Sequence, residues 1–408
     1  MNKVLVNAYA VSPGMGSELG VGWNWCVGLA RDYELHIITE GEYRTRIEAA
    51  LPSLPQGKNM HFHYLPVSER IRKMCWNQGD WRFYFHYRRW QKRALEEARR
   101  ICREERIDLI HHLNMIGFRE PGYLWKIPSI AYVHGPINCK IEYPLSFWKE
   151  ASVAERSKII LKEIISRFQL RYSFRFRQAI RRADAVITAS SDSRRMLKKY
   201  LGRDSVLINE TGCDSEPVPR MPFSKDGLDI LWVGRFALYS KLPALALRAV
   251  RRASHPDLKI HFVGPGDDSA FRELAESMGI ADKCHWYGPV SHEEVLAMMR
   301  TMDVFLMTSV AEGTPHVVLE AISCGLPVVC IDTCGQGDIV DEWSGIKVPL
   351  TNPQQVEKDL ADALDRLAGT AGLLETLSEG CLNRRLELSW DATVCKATTI
   401  YHNLLCKL

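Results

Sequence analysis

The chain has 408 residues, 46% of them hydrophobic and 25% charged, and its 53 basic and 49 acidic side chains leave a net charge of +4. This is the composition of a globular protein with room for two domains and a substantial core. It excludes a general affinity for nucleic acid, and the lack of any apolar run of about 18 residues excludes a membrane-spanning helix. MNKVLVNAYAV reads directly as a first strand, so no secretion signal is expected. Twelve cysteines without CxxC pairs fit reduced thiols in a cytoplasm better than zinc ligands.

Residues 3–9 read as a strand of a parallel sheet. In the following SPGMGSELGVGWNW, Gly14, Gly16, Gly20 and Gly22 permit torsions and close approaches that side chains forbid. A helix is expected to begin around Trp23, Trp25 and Val27 and to end near Arg31. Strand, glycine loop and helix in this order suit a phosphate site, but the spacing is not GxGxxG, which disfavours a dinucleotide-dependent oxidoreductase. Glu18 reads from the residues alone as an exposed loop carboxylate or a helix-start charge. Further strands are expected at 34–39, 61–66, 108–113, 129–133 and 185–189, separated by helices, so the sheet should be parallel and covered on both faces. His134 follows IAYV directly and should stand at the carboxyl end of a strand, where ligands of such sheets sit. His111 and His112 should end another.

Residues 67–106 and 155–182 concentrate arginine, lysine and aromatic residues. Residues 93–106 read as a helix with i,i+4 charge pairs, and IILKEIISRFQLRYSFRFRQAIRR as a long amphipathic helix. Both suit an anionic membrane surface, or helices packed on a sheet with paired arginines.

After a linker rich in proline and polar residues, LDILWVGRFALYSKLPALALRAV gives a strand, a loop with Arg235 and Lys241, and a helix. Two cations at a strand mouth can clamp a diphosphate. Strands are expected at 259–264, at 284–290 (CHWYGPV) and at 303–308. The last leads into EGTPHVVLEAISCGLPVVC, residues 312–330, where Thr314 is the expected N-cap and Pro315 the first helical residue. The amino end of that helix is a seat for phosphate, with Glu320 in the second turn and Glu312 just before it. Two acids beside an anion site need hydroxyl groups to accept from. A nucleotide sugar supplies them, with ribose on one flank of the diphosphate and the transferable sugar on the other. The simpler alternative is a capped helix with two solvated glutamates.

This stretch resembles the E-x7-E signature of retaining GT-B glycosyltransferases of family 4, in the form EGTPxxxLEAxxxGxPVV. The Gly234–Lys241 loop resembles the family's GR(F/L)xxxKG, although Lys241 comes one residue late and Leu242 replaces a glycine. TCGQGDIV departs from GGxxEIV, with Asp338 where a glutamate is usual. The resemblance implies an α/β GT-B fold, two Rossmann-like doubly wound parallel-sheet domains facing a central cleft. Residues 1–215 would bind the acceptor, 222–388 the nucleotide sugar, and a helix in 389–408 would cross back to the first domain. It implies a retaining transferase (EC 2.4) in which Arg235, Lys241, Glu312 and His134 act on the donor sugar and its leaving group. Gly14, Gly16, Val290, Gly313, Thr314, Pro315 and Glu320 would hold the nucleotide, and Glu18 and His112 would lie on the acceptor side. No cofactor or metal is expected, because cations and a helix end take its place. The expected partners are a nucleotide-sugar donor, a glycan or lipid-linked glycan of a bacterial surface polysaccharide, and the anionic inner face of the cytoplasmic membrane. A GT-B scaffold that binds a nucleotide sugar or partner transferases without catalysis is the alternative.

Overall fold

The computed structural model describes residues 1–77, 80–139, 142–214, 216, 219–224, 227–236 and 240–406. The expected boundary at residue 215, and residues 237–239 between Arg235 and Lys241, lie outside the described residues. The chain divides into two units. Met1–Cys139, Ile165–Thr211 and Trp390–Leu408 form the first, Lys140–Ile164 and Gly212–Ser389 the second. Residues 140–164, expected in the first domain, thus group with the second unit.

The first unit is built on strands β1 (Lys3–Ala8), β2 (Glu34–Thr39), β3 (Met60–Tyr64), β4 (Leu109–Asn114), β5 (Ala131–Ile137), β6 (Ala185–Thr188) and β7 (Val206–Leu207). They lie in the order β3-β2-β1-β4-β5-β6-β7 and pair in parallel throughout. Val4 of β1 sits between Leu35 and Leu109, and Val4, Leu5 and Val6 are all fully buried. Both faces of the sheet are covered, which is why these strands read as apolar runs rather than as alternation. Helix Ser17–Leu29 covers part of one face and packs on helix Trp390–Leu405. A Cβ on Gly28 would lie 2.4 Å from Val394 Cγ2, so glycine there sets how closely the two helices approach.

The second unit carries β8 (Leu228–Val233), β9 (Leu258–Val263), β10 (Cys284–Gly288), β11 (Val304–Met307), β12 (Val328–Asp332) and β13 (Gly345–Pro349). Their order is β10-β9-β8-β11-β12-β13, again all parallel. Each sheet grows outward from a central strand and then restarts on that strand's other side. The switch points lie between β1 and β4 and between β8 and β11, where the loops leaving the carboxyl ends diverge and open a crevice.

Three expectations need correction. Helix Ser17–Leu29 begins six residues before Trp23, taking Gly20 and Gly22 out of the loop. They are there for packing: Cβ atoms would lie 2.1 Å from the Met15 carbonyl oxygen and 2.2 Å from that of Ala10. His111 and His112 lie within β4 rather than at its end. The fifth strand runs on to Ile137, so His134 is also mid-strand. Gly135 (φ +123) makes this extension feasible, because the register shifts there and a Cβ would come within 2.1 Å of the Ile187 carbonyl oxygen.

Candidate functional site

To one side of the second sheet's switch point, the neighbouring strands β8, β9 and β10 each turn on a glycine. Gly234 N donates to the Val263 carbonyl and Gly264 N to the Gly288 carbonyl, both at 2.9 Å. Gly264 (φ +145) and Gly288 (φ +67) hold torsions that L side chains avoid. Gly264 also lies against the Gly234 carbonyl with no room for a Cβ. Arg235 leaves this edge exposed to solvent.

Thr308, at the end of β11, holds the other side of the loop. Its hydroxyl contacts the carbonyls of Lys241 (2.7 Å) and Leu242 (3.1 Å) and accepts from Trp232 Nε1 at 3.0 Å. Thus anchored, Lys241 places its Nζ 2.6 Å from Glu312 Oε1, with only 16% and 18% of the two side chains exposed. The late lysine therefore reaches the first glutamate of the motif.

Helix His316–Ser323 follows, with Pro315 (φ −76, ψ +106) as its N-cap and no side-chain cap. The helix so begins one residue later than expected, and Thr314 is not its cap. Proline fixes φ but leaves ψ open, and packing sets it here. Gly335 N donates to the Gly313 carbonyl at 3.0 Å, and a Cβ on Gly335 would meet Thr314 and Pro315. Glu320 remains in the second turn, where Oε1 meets His292 Nε2 at 2.9 Å. His292 opens helix His292–Met299 behind the capping box of Ser291 and Glu294, two residues past Val290. Glu320 and the turn containing Val290 are in this way neighbours. Beneath the motif, Cys334 Sγ lies 3.3 Å from the Glu312 amide that points at it, and Gln336 Nε2 donates to the Ser309 carbonyl at 2.8 Å.

In the first unit, Gly14 (φ +65) and Gly16, the N-cap of helix Ser17–Leu29, both have open space where a Cβ would stand. Glu18, in the first turn, reaches across the switch point and accepts from Ile116 N at 3.1 Å. Its other oxygen is buried without a partner among the described residues. Burial first, and the Glu210 carboxylate second, raise the Glu18 pKa to about 7 against the single bond from Ile116.

His112 and His134 are opposite one another in register and stack at 4.7 Å. Each is 3% exposed. His112 Nδ1 lies 3.0 Å from Asn7 Nδ2, which donates to Gln91 Oε1 at 2.8 Å, and Tyr132 Oη lies 2.7 Å from His134 Nδ1. His111 faces the opposite side, bonded to Tyr401 Oη and the Gly135 carbonyl. Burial lowers all three pKa values, His111 to about 4, His112 to about 3 and His134 well below the ordinary value, so all are neutral near pH 7.

The family model described as Glycosyltransferase Family 4 matches residues 23–216, and that described as Glycosyl transferases group 1 matches residues 219–367. The chain belongs to the family 4 glycosyltransferases. A D-inositol 3-phosphate glycosyltransferase of Streptomyces bingchenggensis is 27% identical to this family 4 chain over 249 residues, covering 55% of the chain and 54% of the relative. The chain spans about half the length of the curated relatives it matches. Among solved structures, the lipopolysaccharide outer core galactosyltransferase WaaB in its apo form aligns with a TM-score of 0.64 at 15% identity, over 98% of this chain and 100% of its own. Anabaena HepE in complex with UDP aligns with a TM-score of 0.61 at 14% identity, over 99% and 100%. Likenesses at such identity speak for the fold, which is GT-B.

Within this family 4 chain the second unit gathers Lys241, Glu312 and the helix start at one point, and Glu320 with the Val290 turn at another on the same helix. The first unit gathers Gly14, Gly16 and Glu18 at its own switch point, and holds His112 and His134 inside its sheet. His292, Cys334, Gln336 and Tyr132 were missed by sequence reasoning. His292, Cys334 and Gln336 act through contacts distant in the chain, whereas Tyr132 stands two residues before His134 on the same face of β5; only the departure of Cys334 from the family's glycine was visible beforehand.

Proposed function

We propose that this chain transfers a sugar from a nucleoside-diphosphate sugar to an acceptor hydroxyl, with retention of the anomeric configuration. The observation that carries this reading is the Lys241–Glu312 pair beside the amino end of helix His316–Ser323, with Glu320 one turn further along. The diphosphate would lie against that helix end and the two cations, Arg235 and Lys241. Glu312 would accept from the donor sugar's hydroxyls and Glu320 from the ribose, near the Val290 turn. As the C1–oxygen bond to the diphosphate breaks, the acceptor oxygen bonds C1 on the same face, and its proton passes to the departing phosphate oxygen. The cations and the helix end stabilise the charge that develops there, and no metal is required.

UDP in the HepE complex supports a uridine donor, and the lipopolysaccharide role in the WaaB name supports a lipid-linked surface glycan as acceptor. Thermal-shift screening with UDP-, GDP-, ADP- and CMP-sugars should select one base, and the purified protein should hydrolyse that donor slowly. Arg235→Ala and Glu320→Ala should each lower kcat/KM about 100-fold or more, some 3 kcal/mol of transition-state stabilisation. Donor binding without hydrolysis or transfer would favour the scaffold reading, and near-normal activity in these variants would refute the assignment of the site.

A further inference from the structure

The first unit carries a cationic and aromatic face that the donor site does not use. Between residues 165 and 203 there are eleven lysines and arginines against two acids. Some of these cations are structural. Arg175 is bonded to the buried carboxylate of Glu120 and lies over the Tyr123 ring, and Arg182 binds Asp184 and the Ile130 carbonyl.

Another group borders exposed apolar side chains. Ile165, Phe168, Tyr172 and Phe174 are 44%, 64%, 60% and 68% exposed. The first three recur at intervals of three and four along the last turns of helix Val153–Tyr172, which puts them on one side of it, and Phe174 opens the next helix, Phe174–Arg182. Beside them an open depression of about 570 Å³ is lined by Arg171, Tyr172, Phe174, Arg177, Lys199 and Tyr200. The Arg171 guanidinium lies 5.6 Å from the Tyr172 ring centre and the Lys199 ammonium 5.5 Å from that of Tyr200. Arg177 Nη1 donates to the Arg171 carbonyl at 2.9 Å.

Single exposed apolar residues are ordinary, but four together, rimmed by cations, mark a surface for a partner that is apolar inside and anionic at its edge. We propose that this face seats on an anionic lipid surface, with Phe168, Tyr172 and Phe174 at headgroup depth and Arg171, Arg177 and Lys199 on lipid phosphates. Charge complementarity selects this occupant, because two copies of so cationic a face would repel each other. Ile165 and Phe168 offer nothing that a base edge or phosphate could bond, whereas both suit the acyl boundary. The proposal deepens the reading of a membrane-presented acceptor and rests on that reading only for its biological purpose.

The full chain should float with vesicles of phosphatidylcholine mixed with phosphatidylglycerol at low salt, and not with phosphatidylcholine alone. Phe168→Ser with Phe174→Ser, and separately Arg171→Glu with Lys199→Glu, should each reduce vesicle binding at least tenfold. Melting temperature and donor hydrolysis should be unchanged, since these residues lie outside the donor site. If hydrolysis is absent while flotation behaves as stated, the donor reading fails and the lipid face stands. The face is refuted if neither pair of substitutions reduces flotation, or if the protein fails to float. It is also refuted if the same substitutions instead abolish RNA binding or self-association in sedimentation.

Discussion

Leu242 holds a left-handed backbone (φ +50, ψ +56) as the N-cap of helix Pro243–Arg252, at the position where related loops have glycine. For an L residue this costs about 1–2 kcal/mol, offset because the side chain is 4% exposed in the core beside Leu245 and Trp232. Leu242→Gly should therefore lower the stability of the second unit by about 1–2 kcal/mol, the cavity outweighing the relief of strain. Chemical denaturation would show it, and a gain in stability would mean that the strained torsion costs more than the buried side chain returns. Cys334 is a parallel case, at φ +56, with its thiol beside the Glu312 amide. Both departures from the family pattern were visible in the sequence, but the torsions were not, because a residue's identity does not reveal the turn it occupies. The same limit applies to the acids. Glu312 and Glu320 stood out by spacing, yet the partner of each, Lys241 or His292, is set by tertiary folding. At Glu18 the folded pKa of about 7 exceeds its ordinary value of 4.5, so the folded state holds the proton more tightly. That stabilisation is present below about pH 4.5 and is lost as pH rises through 7, by roughly 3 kcal/mol in all. Glu18→Gln should raise the melting temperature at pH 8 and change little at pH 5.

Among elements, the pair β4 and β5 carries the opposite pH dependence. His111, His112 and His134 are held neutral by burial, so the unfolded chain takes up protons first as pH falls below about 6.5. Depressed folded values mean stability that is present above pH 6.5 and lost toward pH 4. Each histidine contributes about 1.4 kcal/mol per pH unit, and three outweigh the opposing gain at Glu18. Stability of the first unit should therefore drop between pH 6 and 5, and replacing His112 by asparagine should flatten the drop. Tyr401→Phe should cost about 1–3 kcal/mol by leaving buried His111 Nδ1 without a partner. Most central strands were legible within a residue or two, since burial on both faces writes them as apolar runs, although β5 runs four residues past its expected end. β13 was not, because GIKVP is buried at only its first and fourth residues, and β7 is two residues long. The late start of helix His316–Ser323 was missed for a related reason. Capping rules place proline inside a helix, and here contact with Gly335 decides instead.

At the scale of the whole molecule, doubly wound topology was readable from the alternation of strands and helices, and the family resemblance from two motifs, the E-x7-E stretch and the Gly234–Lys241 loop. The partition of the chain was less accessible at residues 140–164, which tertiary packing rather than composition assigns to the second unit. Deleting residues 390–408 should remove Val394, Ala397 and Tyr401 from the first unit's core and leave helix Ser17–Leu29 uncovered. Limited proteolysis should then digest residues 1–139 and 165–211 while a fragment from the second unit survives. Equal resistance of both would show that the last helix is dispensable. The placement of that helix also has a bearing on biosynthesis. Residues 390–408 follow all of the second unit in the chain, so the first unit cannot be completed until the second has been made. Until residues 390–408 have been made, the nascent amino-terminal sheet carries an uncovered apolar flank.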